Sequence, residues 1–173
     1  AKNAQKQFAL DKIFFVPAYQ PPHKQDFPPS ASAEQRYDMV SLAIQAEPCF
    51  EVSDSEIKRK GFSYTIDTVR EFQKKYPQAE ICLILGEDAF KTIDHWHRAD
   101  EIKNTVQLLV APRHDRSEPP FQPKNADPID MPLCPVSASK IRGSIEKKLK
   151  MEQNLPSEVL SYILSHHLYE GRF

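Results

Sequence analysis

Four short clusters in the chain carry residue types that hold anions, flat rings or hydroxyls. Pro21, Pro22, His23 and Lys24 follow an apolar run directly. The prolines stiffen the loop and keep it out of the helical region, which can aim His23 and Lys24 at a phosphate. The same residues also read as a solvated proline turn. The segment Gly61-Phe-Ser-Tyr-Thr-Ile-Asp-Thr68 places Thr65 at a helix start. There, backbone N–H groups have no internal partner and the helix dipole favours an anion. Ser63 and Thr65 are equally ordinary caps. A third cluster combines Gly86, Glu87 and Asp88 with Trp96 and His97. A strand ending in glycine admits a ligand close to the backbone, and Asp88 can accept hydrogen bonds from ribose hydroxyls. Trp96, the only tryptophan, either stacks on a flat heteroaromatic ring or anchors the core. In the fourth, Ser137 and Ser139 offer hydroxyls at a helix start, and Arg142, one turn on, adds a planar fork suited to phosphate oxygens.

Other chemistries lack their residues. No Ser/His/Asp or Cys/His arrangement suggests a covalent nucleophile. Cys49, Cys82 and Cys134 have no metal-ligand spacing, and His95 and His97 would diverge on a helix. His166 and His167 read as surface or cap residues near a helix C-terminus.

The elements that must position these clusters alternate between apolar strands and helices. Ala1–Leu10 reads as a short helical tail and Lys12–Val16 as a buried strand, followed by a proline-rich loop. Ser32 caps a helix from Ala33 to Ala46 with apolar positions at Met39, Val40, Ala43 and Ile44. Phe50–Val52 is a short strand, and Ser53–Ser63 reads as a polar connection. Ile66, Val69 and Phe72 recur every third residue in a helix from Thr65 to Lys75, stopped by Pro77. Glu80–Leu85 is a strand ending at Gly86, helical turns follow from Asp88 to Lys103, and Val106–Ala111 is another strand. A proline-rich, charged loop is expected over 112–130, a last strand over Met131–Val136, and helices over 138–150 and 157–166. This alternation predicts an α/β fold, a parallel sheet with helices on both faces. Ligands then bind beyond the carboxyl ends of the strands, so the segments after Val16, Gly86, Ala111 and Val136 are expected to converge.

Composition narrows the partners. With 173 residues the chain fits a single domain, 1–173, with a real core. Its 23 basic and 24 acidic side chains give a net charge of -1, which argues against a nucleic-acid or membrane-surface binder. No apolar stretch approaches the ~20 residues of a membrane span. An odd cysteine count without a pairing pattern fits a reducing cytoplasm. Only 4 glycines stand against 15 prolines, few for a protein that would cradle a nucleotide's phosphates.

Taken in order, the motifs resemble a known family over essentially the whole chain. Phe15-Val-Pro17, Pro21-Pro-His-Lys24, Glu51-Val-Ser-Asp54, Gly61 to Thr68, Ile84-Leu-Gly-Glu-Asp88, Trp96, Val110-Ala-Pro-Arg113, Val136 to Arg142, and Val159, Tyr162, His166-His-Leu-Tyr169 look like those of bacterial nicotinate-nucleotide adenylyltransferases. The segment Ser63–Thr68 and the ending are the specific parts, while the histidine/lysine and serine/arginine motifs are shared more widely among nucleotidyltransferases. The resemblance implies a Rossmann-like nucleotidyltransferase fold. It implies transfer of AMP from ATP to nicotinic acid mononucleotide, with Mg2+ bound through substrate phosphates and no metal ligand from the protein. Trp96 would stack on the pyridine ring beside Tyr64, and the N–H groups of Thr65 and His97 would hold the nicotinate carboxylate. Gly86, Asp88 and Arg113 would line the nucleotide groove. His23, Lys24, Ser137, Ser139 and Arg142 would surround phosphates, with Lys24 and Arg142 supporting the chemistry.

The departures from the family pattern are Ala138 where a second serine is common, Ser139 where threonine is common, and the front of the chain. The family opens with a central strand and a glycine-rich loop bearing an HxGH motif. That strand and loop are not in this sequence, so its catalytic histidines are not named here and the native protein is expected to be longer at its front. Two further readings stand beside this one. The first is a related transferase with another acceptor, such as phosphopantetheine or a polyol phosphate. The second is a non-catalytic nucleotide-binding remnant.

Overall fold

Two apolar runs form the structural spine. Strand β3 (Cys82–Gly86) pairs in parallel with β4 (Gln107–Ala111), from Cys82 opposite Gln107 to Gly86 opposite Ala111. A computed structural model describes residues 1–22, 29–113, 123–132, 136–146 and 155–169. Within these the chain divides into two compact units, one from Ala1–Ile13 and Ser63–Cys134, the other from Phe14–Phe62 and Pro135–Phe173.

In the first unit the sheet order is β3-β4-β5, with β5 (Asp127–Pro128) parallel to β4. Side chains alternate between its faces with the strand period of two. Leu83, Leu85 and Leu108 join Ile66, Val69 and Ile102 in a core cluster with α4 (Thr65–Lys75) and α6 (Ala99–Thr105). Cys82, Ile84, Leu109 and Ala111 join Ala4 and Phe8, beside α1 (Lys2–Gln7). Leu109 is fully buried, as a strand covered on both faces requires.

Three expectations change here. The front segment is no tail: Ala4 is fully buried, Asn3 Nδ2 donates to the Asp130 carbonyl at 3.1 Å, and Gln7 Nε2 donates to that of Pro128 at 3.0 Å. The third strand of this sheet is β5, inside the span expected to be loop, and residues 131, 132 and 136 are not strand. The rest of the expected strand, 133–135, and loop residues 114–122 lie outside the described residues. The helical turns after Gly86 break into α5 (Glu87–Phe90), a 3-10 turn at Ile93–His95, and α6.

The second unit holds β2 (Phe50–Val52) and, from Phe14 on, its partner β1 (Ile13–Phe15), with the Ser53 N–H donating to the Phe15 carbonyl at 2.8 Å. Helix α2 (Ala33–Ile44) begins in a reciprocal cap: Ser32 Oγ accepts from the Gln35 N–H at 3.1 Å, and the Ser32 N–H donates to Gln35 Oε1 at 2.9 Å. Ala43, expected on its apolar face, is exposed, and Leu42 packs instead. Helix α3 (Ser55–Arg59) occupies the connection read as irregular, with Lys58 paired to Asp54 at 2.9 Å. Helices α7 (Ala138–Glu146) and α8 (Ser157–Ser165) close a cluster around Ala31, Ile145, Val159 and Ile163. Tyr162 donates from its hydroxyl to Asp38 at 2.8 Å, tying α8 to α2. His166 caps α8 from an exposed position and stacks on Tyr162 at 4.0 Å, as a surface cap residue does. Among the described residues no helix is long and apolar enough to cross a membrane.

Candidate active site

The carboxyl ends of β3 and β4 bring together residues 25 positions apart in the chain. Asp88 and Arg113 form an ion pair between two exposed side chains. Gly86 precedes them with φ -75° and ψ 153°, backbone that any residue adopts. A Cβ built on Gly86 would meet nothing within 4 Å. Neither conformation nor internal packing requires a glycine there, which leaves room for something that arrives from outside. Glu87, between them, is fully buried. Its Oε2 accepts the Arg113 N–H at 3.1 Å. Its Oε1 lies 2.7 Å from the Lys91 ammonium, a charge contact without the alignment of a hydrogen bond. Sequence reading gave Glu87 no role. The available signal was its placement four residues before Lys91, the spacing that pairs charges on a helix.

A second group forms where α4 begins. Tyr64, at the N-cap, supplies no side-chain cap to α4, whose N-terminal turn carries the positive end of the helix dipole. The Tyr64 ring lies 4.4 Å from that of His97. Trp96 is half-buried and packs on the same core as Tyr64, so part of its surface anchors the core and the rest is accessible. Arg98, with φ 57°, turns the chain sharply after His97. Glu101 fixes that turn: it pairs with Arg98 at 2.7 Å and with Arg70 of α4 at 2.6 Å. The ring pair and this charge triad hold Tyr64, Thr65, Trp96 and His97 together.

The serine/arginine cluster lies in the other unit, at the start of α7. Ser137 Oγ accepts the Lys140 N–H at 3.2 Å, so this serine caps the helix. Arg142 Nη2 donates to Ser139 Oγ at 3.4 Å. Burial raises the Tyr169 phenol pKa, and the cations of Arg142 and then Arg36 oppose the shift. Arg36, itself half-buried, donates to the carbonyls of Tyr19 and Ala31 at 3.3 Å. His23 and Lys24 lie outside the described residues. Among the described residues no group of three or more His, Cys, Asp or Glu side chains is placed to hold a metal ion.

Comparison with known proteins gives the family and the fold. The cytidylyltransferase-like family profile matches residues 1–144. The chain is 37% identical over 183 residues to a probable nicotinate-nucleotide adenylyltransferase of Moorella thermoacetica, covering 99% of this chain and 84% of that one. It is 35% identical to the protein of the same description from Dictyoglomus thermophilum, covering 98% and 89%. Its fold is similar to that of Plasmodium falciparum nicotinic acid mononucleotide adenylyltransferase complexed with NaAD, with a TM-score of 0.71 and 15% identity over 92% of this chain and 83% of that one.

Proposed function

Since this chain belongs to the nicotinate-nucleotide adenylyltransferases, within the cytidylyltransferase-like family, we propose that it transfers AMP from ATP to nicotinic acid mononucleotide and releases pyrophosphate. The observation that carries this reading is the start of α4 held beside the Trp96–His97 turn, with the Tyr64 and His97 rings 4.4 Å apart.

The chemistry needs no protein nucleophile. A phosphate oxygen of the mononucleotide bonds to the α-phosphorus of ATP, and the bond from that phosphorus to the pyrophosphate oxygen breaks. Catalysis is then positioning, together with stabilisation of charge on the triphosphate. On the acceptor side, the N–H groups of Thr65 and His97 hold the nicotinate carboxylate, and Trp96, flanked by Tyr64, stacks on the pyridine ring. A carboxylate gains from the helix end, whereas a neutral amide gains little. On the nucleotide side, Gly86 lets the ligand approach the backbone, Asp88 accepts from ribose hydroxyls, and Arg113 supplies a cation. Ser137, Ser139 and Arg142 take phosphate oxygens from an anion-favouring helix start, and His23 and Lys24 take the same role by resemblance. Mg2+ would be held through the substrate's phosphates rather than by protein ligands, and would supply neutralisation of the triphosphate charge. We assign the reaction to the cytoplasm, the reducing compartment that the odd cysteine count without a pairing pattern fits.

The test is pyrophosphate release from ATP with three acceptors: nicotinic acid mononucleotide, phosphopantetheine and a polyol phosphate. Turnover with the first alone is expected. Turnover with either of the others at equal efficiency would transfer the chain to a different acceptor class, and ATP binding without turnover would mark a non-catalytic module.

A further inference from the structure

Glu87 is a charged side chain that the reaction scheme leaves unused, and it is fully buried. A carboxylate loses its hydration on burial and persists only with compensating partners. Its two oxygens are committed to different elements. Oε1 faces Lys91 at 2.7 Å, one turn along the chain. Oε2 accepts the Arg113 N–H at 3.1 Å, from the segment leaving β4. The sheet ladder itself ends at Gly86 opposite Ala111. The Glu87 bond therefore reaches two residues past the last rung, to backbone that the sheet no longer holds. Asp88, the next residue along, engages the guanidinium of the same Arg113. Arg113 is gripped twice, by its backbone and by its side chain, from adjacent residues.

We propose that Glu87 is a positioning residue for the nucleotide side: it anchors the Arg113 backbone so that the guanidinium can leave Asp88 for ATP without losing its place. This rests on the assignment of Asp88 and Arg113 to the ATP groove. When ribose hydroxyls arrive at Asp88, the side-chain grip is exchanged for ligand contacts, while the grip through Glu87 stays. Lys91, half exposed, balances the buried charge from the solvent side. The effect is confined to ATP, because the acceptor group at Tyr64, Thr65, Trp96 and His97 is held by other contacts, the Arg70–Glu101–Arg98 triad among them.

The experiment measures dissociation constants of ATP and of nicotinic acid mononucleotide by calorimetry on five proteins: wild type, Glu87→Met, Glu87→Gln, Arg113→Ala and the Glu87→Met/Arg113→Ala double variant. Methionine keeps the volume and removes the acceptor, whereas glutamine keeps an acceptor and removes the charge. Glu87→Met is expected to weaken ATP about fivefold, the net worth of one hydrogen bond, with the mononucleotide unchanged. Glu87→Gln should bind ATP nearly as wild type does, and Glu87→Met should add nothing in an Arg113→Ala background. Equal weakening of both ligands, or a Glu87→Met effect that persists without the Arg113 side chain, would overturn the proposal. So would unchanged ATP binding in Arg113→Ala, a result readable even where Glu87→Met does not fold. Wild-type protein that binds ATP but does not turn over the mononucleotide would refute the acceptor assignment alone, since the ATP constants are measured without it.

Discussion

Replacing Gly86 with alanine separates what the fold needs from what the ligand needs. The backbone there has φ -75° and ψ 153°, so alanine enters without strain. The added Cβ meets no atom within 4 Å in the free protein. Alanine also restricts the unfolded chain, which stabilises by about 0.4–1 kcal/mol where the native backbone is compatible. The variant should therefore melt at the wild-type temperature or slightly above it. The cost appears only when a nucleotide occupies the space at the strand end. Forcing an extra methyl into a close contact costs about 1–3 kcal/mol, equivalent to roughly a fivefold to hundredfold loss in affinity or kcat/KM. Thermal melting and steady-state pyrophosphate release on the same preparation read both effects. A Gly86→Ala enzyme with wild-type stability and kcat/KM within twofold of wild type for both substrates would refute the claim that ligand approaches this backbone.

Three further outcomes are expected. Trp96→Ala should raise KM for the mononucleotide about fivefold, from the loss of a stacking contact worth about 1 kcal/mol, and leave KM for ATP nearly unchanged. An effect confined to ATP would remove Trp96 from the acceptor site. Lys60→Gly should stabilise the protein by about 1 kcal/mol in urea titration, because Lys60 sits at φ 59° and ψ 179°, a region open essentially to glycine alone; a destabilised variant would show that the Lys60 side chain outweighs this strain. The Tyr162 phenol is pushed up to about 12 by burial and by its hydrogen bond to the Asp38 carboxylate. The fold then holds this proton where the unfolded chain releases it, so the contribution is complete below about pH 10 and falls between about pH 10 and 12. Denaturant midpoints across that window should decline less steeply in Tyr162→Phe; an identical slope would assign the alkaline loss to other groups.

Much of the fold was legible because several elements declare themselves locally. Helix α4 runs Thr65–Lys75, the bounds that apolar recurrence at Ile66, Val69 and Phe72 and the stop at Pro77 indicated. Ser32 caps α2 as its type and place suggested. Helix α3 was hidden because five residues are too few to display a helical period, although Asp54, Glu56, Lys58 and Arg59 carry charges in the order a helix dipole favours. Strand β5 was hidden because it is two residues long and contains Pro128, which cannot donate to a ladder. Tyr64 and Thr65 stand in one sequence cluster and Trp96 and His97 in another, and only the family resemblance joined them; the structure sets the Tyr64 ring 4.4 Å from that of His97. The pairing of Arg113 with Asp88 and Glu87 was not legible, because contacts across 25 and 26 positions are set by strand register, which no local pattern carries.

The proposed function requires that a pyridine carboxylate be read at the start of α4. The most direct measurement is kcat/KM with ATP for nicotinic acid mononucleotide against nicotinamide mononucleotide. Charge-assisted hydrogen bonds to backbone N–H groups are worth about 1.5–3 kcal/mol, so a preference for the acid of at least about tenfold is predicted. Equal efficiency with the two forms would contradict the account.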